Sequence, residues 1–193
     1  MSTAHPPTEA TTVDRLLDAT LESIHQHGFG ATTVTTVTEI AGLSRGMVRH
    51  EFGSKQRMVV AALSHLCERW LRTTEPIDSL TGAAQVRSIV RAMFAPETFT
   101  PKDVDAWIAL SVQARSDADL REIRERTQAR WLEQITAAYR AAGVEGPEVA
   151  ARATLATADG LWLQYRIGGQ ALDHAEATAT ALWVADAMLG DAT

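Results

Sequence analysis

Apolar residues recur along most of the chain with the 3.6-residue period of an α-helix, and no segment sustains the period of two that a half-buried strand needs. Val13, Leu16, Leu17, Leu21 and Ile24 form one such stripe, closed by Gly28, with Thr11 and Asp14 spaced to cap its start. A short helix follows over Val34–Ala41, with Val34, Val37 and Ile40 on one side, and stops at Gly42. Ser44 is an N-cap for a second short helix running through Val48 to about Glu51. Ser54 opens a longer helix with the stripe Val59, Ala62, Leu63, Leu66 and Trp70, which Pro76 closes. Further helices are expected over 83–95, 101–115, 118–142, 147–167 and 174–189. Thr100 before Pro101 and the Asp173–Glu176 spacing mark two of their starts. The expected fold is all-α, with about nine helices.

Charge narrows what such a bundle does. The formal net charge of −6 over 193 residues excludes polyanion binding through the bulk surface, so any nucleic-acid contact must come from a local patch. One cysteine, Cys67, leaves no internal disulfide, and no His and Cys cluster has zinc-ligand spacing, so no metal or cofactor is expected. His25 and His27 are two apart on a helix and fall on different faces. No apolar run reaches the ~18 residues of a membrane span, and MSTAHPPTEATT lacks the regions of a signal peptide. A reducing cytoplasm is the expected location, with residues 1–10 a disordered tail.

The patch is LSRGMVRHEFGSKQRM, which gathers Arg45, Arg49, Lys55 and Arg57 against the single acid Glu51. Two helices of about two turns, joined by Ala41, Gly42, Leu43 and Ser44 and braced by the helix before them, make a helix-turn-helix. Isolated helices below roughly 12 residues are marginal, so these two exist because something positions them. The second should enter the major groove. Val48 and Phe52 face the core with Leu43, while Arg45, Gly46, Met47, Arg49 and His50 face outward. A glycine inside that helix makes sense where a backbone passes close to a phosphate or base. Arg45 and Arg49 suit guanine edges or phosphates, and Lys55 lies at a helix start where its charge and the helix dipole meet a phosphate.

The run TTVTTVTEIAGLSRGMVRHEFGSKQRM, with the Gly28 helix before it, resembles the DNA-binding domain of the tetracycline-repressor (TetR) family. Thr33, Val34, Ala41, Gly42, Leu43, Ser44, Gly46, His50, Phe52, Ser54 and Lys55 carry the match. The resemblance implies a homodimer whose heads read a double-stranded, palindromic operator and whose larger C-terminal part dimerises and binds a small-molecule inducer. It places Thr33, Ser44, Arg45, Met47, Arg49, His50 and Lys55 at DNA contacts. Arg49 and Glu51 depart from an aromatic common in the family. Arg49 can replace that contact by charge, whereas Glu51 would repel phosphate and should turn away.

A second resemblance covers ADGLWLQYRIGGQALD, together with Trp107 and LREIRERTQARWLEQITAAYR, and is to the betaine-regulator (BetI) branch of that family. It implies a dimer more directly than a ligand. All five tryptophans and both tyrosines follow the head, so an aromatic-lined cavity is feasible there. Trp107, Trp131, Asp159, Trp162 and Tyr165 are the candidate ligand residues. They suit an apolar or aromatic molecule, or a cation such as choline held by the rings and the Asp159 carboxylate. The alanine-rich last helix (Ala175, Ala179, Ala181, Ala185) with Trp183 is the expected dimer seam.

The expected organisation is a tail over 1–10, a DNA-binding domain over 11–55 and a ligand-binding and dimerisation domain over 56–193. The function expected is a ligand-responsive repressor, the alternative a DNA-binding regulator controlled by a protein partner and lacking an enclosed cavity. An all-helical enzyme would need a nucleophile with its base or a metal cluster, and the sequence offers neither.

Overall fold

The structure is a computed structural model that describes residues 11–168 and 172–190, so the expectation for residues 1–10 lies outside it. Among the described residues there are nine helices and no strand: α1 (Thr12–His27), α2 (Val34–Ala41), α3 (Arg45–Glu51), α4 (Lys55–Thr73), α5 (Gly82–Ala92), α6 (Pro101–Gln113), α7 (Ala118–Ala141), α8 (Pro147–Ile167) and α9 (His174–Leu189). The chain divides into two compact units, Met1–Ala62 and Leu63–Thr193, and α4 contributes residues to both.

In the first unit α1 lies against α2 and α3, and α2 against α3. Leu16 and Ala19 of α1, Val37 and Ala41 of α2, Val48 of α3 and Met58 of α4 make one buried cluster. The helix ends explain why short elements hold. Thr11 and Asp14 form a full capping box on α1, as their spacing predicts. Thr33 does the same for α2 with Thr36. At the other end of α2, Gly42 takes left-handed φ 63° and ψ 39°. Its N–H bonds the Glu39 carbonyl at 3.2 Å and the Leu43 N–H bonds the Thr38 carbonyl at 2.9 Å. This Schellman closure satisfies two carbonyls that a helix end leaves open and turns the chain into α3. Arg15 of α1 donates to a third, the Ala41 carbonyl, at 2.6 Å.

Two expectations for the head change. Ser44 occupies the N-cap position of α3, but its side chain makes no capping hydrogen bond. Met47, expected to face outward, is half-buried and packs on the buried cluster beside Leu43 and Phe52. A flexible thioether on a two-turn helix gains more by covering the core's rim than by standing in water.

In the second unit α7 contacts α5, α6 and α8, while α9 contacts α5 and α8. The starts of α6 and α9 are the capped ones anticipated at Thr100 and Asp173. α5 ends at Ala92 instead of near 95, because Phe94 and Ala95 donate to carbonyls three residues back in tighter turns. The first turns of α6 are held from two sides. Buried Asp103 pairs with Arg69 of α4 and accepts from the Thr100 hydroxyl at 2.7 Å. Asp105 accepts both Nε and Nη2 of Arg166 of α8, each at 2.8 Å.

Candidate nucleic-acid interface and ligand cavity

The α2–turn–α3 pair and the start of α4 form an open cleft of about 360 Å³, lined by Val34, Val48, Gly53, Ser54 and three cations, Arg45, Arg49 and Lys55. The three are exposed, and none forms an ion pair with a carboxylate among the described residues. Arg45 and Arg49 are four apart on α3 and so share a face. Lys55 is the first residue of α4, whose start Ser54 caps by accepting the Arg57 N–H at 3.2 Å. Three cations at one opening, two helix starts and no internal anion make a place where phosphate oxygens meet charge and N–H groups together.

The remaining candidates sit around that cleft. Thr33 is exposed at the start of α2, with its hydroxyl already accepting the Thr36 N–H at 3.1 Å. Ser44, Gly46 and His50 are exposed on α3 or at its start. A Cβ placed on Gly46 would meet nothing nearer than the Ser44 hydroxyl at 3.7 Å, so packing within the head does not require glycine there. Glu51 is exposed at the end of α3 and does not line the cleft.

In the second unit an open cavity of about 240 Å³ lies among α6, α7 and α8, walled by Trp107, Ile108, Ser111, Val112, Arg124, Asp159, Trp162 and Leu163. Of the ligand residues read from sequence, Trp107, Asp159 and Trp162 meet there. Trp131 does not: its ring is fully buried behind them, 5.9 Å from Trp70. Tyr165 turns the other way and stacks on Phe99 at 4.4 Å. Trp131 belongs to the inward stripe of α7, whereas Tyr165, one turn beyond Trp162 on α8, packs on the Phe99 ring instead.

Two residues the sequence reading passed over complete the site. Trp70 of α4 joins Trp107 and Trp162, with ring centroids 5.6 and 6.0 Å away, in an aromatic cluster behind the cavity. Arg124 of α7 lays its guanidinium over the Trp107 ring, 4.8 Å from the centroid. Its Nε donates to the Ser111 hydroxyl at 3.3 Å, its Nη1 to the Gln128 side chain at 2.8 Å, and its Nη2 lies 3.5 Å from the Asp159 carboxylate. Burial pushes the Asp159 carboxyl above its ordinary range, against the opposing pull of Arg124 and a hydrogen bond from Trp107. The signal for Arg124 was present in phase: positions 124 and 131 are two turns apart, so a cation there shares the face of a core tryptophan.

Elsewhere, Cys67 is buried and its thiol is pushed up to about 11 by that burial. The alanines of α9 divide between two faces. Ala181 and Ala185 pack inside the unit, whereas Ala175, Ala179 and Trp183 are exposed, the indole 73 % so. No described helix is long and apolar enough to cross a membrane.

A two-unit all-helical chain with a cation-lined helix-turn-helix defines a DNA-binding regulator. Two family descriptions match it: bacterial regulatory proteins of the tetR family over residues 16–62, and the C-terminal domain of BetI-type transcriptional repressors over residues 82–190. The HTH-type transcriptional regulator BetI of Burkholderia mallei is 31 % identical over 167 residues, covering 82 % of this chain and 84 % of that protein. Among solved structures, a transcriptional regulator from Rhodococcus sp. Rha1 is similar with a TM-score of 0.82 and 26 % identity, over 93 % of this chain and 96 % of that one. A regulator from Saccharomonospora viridis, crystallised in complex with choline, shares the fold with a TM-score of 0.70 at 16 % identity, over 88 % and 92 % of the two chains. The chain belongs to the TetR family of transcriptional regulators and carries a BetI-type C-terminal domain.

Proposed function

We propose that the protein is a ligand-responsive transcriptional repressor of the cytoplasm, which binds a palindromic operator as a homodimer and is released when a small molecule enters the α6–α7–α8 cavity. The observation that carries this is the coexistence, in one chain, of the cleft holding Arg45, Arg49 and Lys55 and a separate cavity walled by Trp107 and Trp162. The cleft supplies the phosphate and base contacts, with Thr33, Ser44, Gly46 and His50 around it, while Met47, packed on the head core, supports α3 from behind. In this reading residues 11–55 recognise DNA and residues 56–193 bind ligand and dimerise. The cavity is open, not enclosed, so what favours a small molecule over a protein partner is its wall, two indoles with an arginine and a carboxylate at one edge.

The dimer face is the exposed apolar surface of α8 and α9. Leu163, Ile167, Trp183 and Met188 are exposed on these two helices, apolar side chains that a partner subunit would take out of water. A two-fold axis across this face would set two heads on successive major grooves, about 34 Å apart. Choline, seen in the Saccharomonospora relative, is the reference cation for ligand trials, and a neutral aromatic molecule is its counterpart.

The test is selection of bound sequences from random duplexes with the purified protein, followed by anisotropy titration of the selected site. A palindromic consensus bound at least about 1,000-fold more tightly than random DNA is expected, the lower end of the usual range of specific over non-specific affinity. Equal affinity for selected and random duplexes would sink the repressor reading.

A further inference from the structure

The cavity contains its own cation. A cage of aromatic rings and a carboxylate is the arrangement that holds an ammonium group, and here Trp107 and Asp159 supply both parts. The position over the Trp107 ring is taken by Arg124, whose side chain is only 17 % exposed. An arginine cannot lose its proton, so a cationic ligand would have to expel a permanent charge or sit beside one of the same sign.

The two charged groups differ in how easily each gives way. Arg124 is fixed by Ser111 and Gln128 and stacked on Trp107. Asp159 is the loose partner. It is 40 % exposed at its outer edge, stands 3.5 Å from Arg124, beyond the range of a strong hydrogen bond, and is pushed by desolvation toward its neutral form. The guanidinium thus faces the cavity with a weakly held anion at its Nη2 edge. The rest of the wall is apolar, with Ile108, Val112 and Leu163 beside the two indoles. A better acceptor at that edge displaces only Asp159, which gives up its hydrogen bond from Trp107 and, being 40 % exposed, can turn to solvent.

We propose that the cavity takes a small molecule with a carboxylate on an apolar or aromatic body, and that Arg124 is the residue that selects it. The ligand carboxylate replaces Asp159 at the Nη2 edge, forming a charge-assisted pair, while its body lies against the apolar wall of Ile108, Val112, Leu163 and the outer edges of the two indoles. This rests on the cavity being the effector site and names the class of effector.

Phenylacetate, phenylacetamide and benzyltrimethylammonium share a ring and differ in charge, and serve as probes against tryptophan fluorescence and by calorimetry. Phenylacetate is expected to bind at least ten times more tightly than the amide, with the cation weakest. Arg124→Gln should abolish the preference for carboxylate over amide. Asp159→Asn, at a half-open position that leaves folding intact, should tighten phenylacetate several-fold by removing its competitor. Val112→Trp, which fills the exposed mouth, should block all three. An amide or cation that matches phenylacetate would overturn the proposal while leaving the cavity as the effector site. Phenylacetate binding undiminished by Val112→Trp would overturn it as well. No binding of any probe up to millimolar concentration would remove both the proposal and the effector reading of the cavity.

Discussion

Glycine positions in the head separate folding from recognition. Gly42 sits at φ 63°, where a β-carbon costs about 1–2 kcal/mol, so Gly42→Ala should lower head stability by that amount in a denaturant titration. Gly46 is different, because its backbone is helical and nothing crowds a Cβ there. Alanine is better than glycine by about 1 kcal/mol inside a helix, and by part of that at Gly46, the second residue of α3. Gly46→Ala should therefore raise the melting temperature while weakening operator binding, if α3 packs its backbone against DNA. A variant that is more stable and binds the operator as well as before would leave Gly46 out of the interface. Cys67 offers a further residue-scale check. With its thiol pushed from 9 to about 11, its thiolate fraction near pH 8 is about 100-fold below that of a free cysteine. Labelling by a thiol reagent should be slow in the native protein and become fast on unfolding. Immediate labelling of the folded state would mean that the thiol is open to solvent.

At the scale of elements, α6 is held by two ion pairs that differ in worth. Asp103 is nearly fully buried, and removing it strands Arg69, so Asp103→Ala should cost about 2–4 kcal/mol. Asp105 and Arg166 are each about a quarter exposed, and Asp105→Ala should cost about 1 kcal/mol or less. Equal losses in the two variants, measured by chemical denaturation, would refute the ranking by burial. Neither pair could be read from the sequence. Helix starts could, because a cap such as Thr11–Asp14 or Asp173–Glu176 is completed within four residues. The turn at Gly42 was legible for the same reason. Local rules fail where a partner comes from far along the chain. Asp105 and Arg166 are 61 residues apart, and Arg124 finds Asp159 on another helix. Met47 shows the same limit in miniature, since its outward phase on α3 gave way to a core rim that only the packed head provides. The cavity was half legible: Trp107, Asp159 and Trp162, gathered from two separate stretches of sequence, line one wall, while Arg124 was passed over because its partners Trp107 and Asp159 lie on other helices.

At the scale of the whole molecule, the proposed dimer governs both assembly and DNA affinity. Trp183 is 73 % exposed on α9, so replacing it removes little packing within its own subunit. A buried glutamate in its place would meet its symmetry mate across a two-fold axis, adding like-charge repulsion to the cost of desolvation. Trp183→Glu should thus sediment as a monomer at micromolar concentration, with helix content and melting of the isolated subunit retained. Its effect on DNA follows from the linkage of two heads. Once one head is bound, the second binds its half-site as an intramolecular step, which is worth 10²–10⁴ in overall affinity. The monomer should lose about that much on the full palindrome. It should also show about half the slope of log K against log salt, because half as many phosphates are neutralised in each binding event. A Trp183→Glu protein that remains dimeric would place the interface elsewhere, and a monomer that keeps full operator affinity and slope would separate dimerisation from recognition.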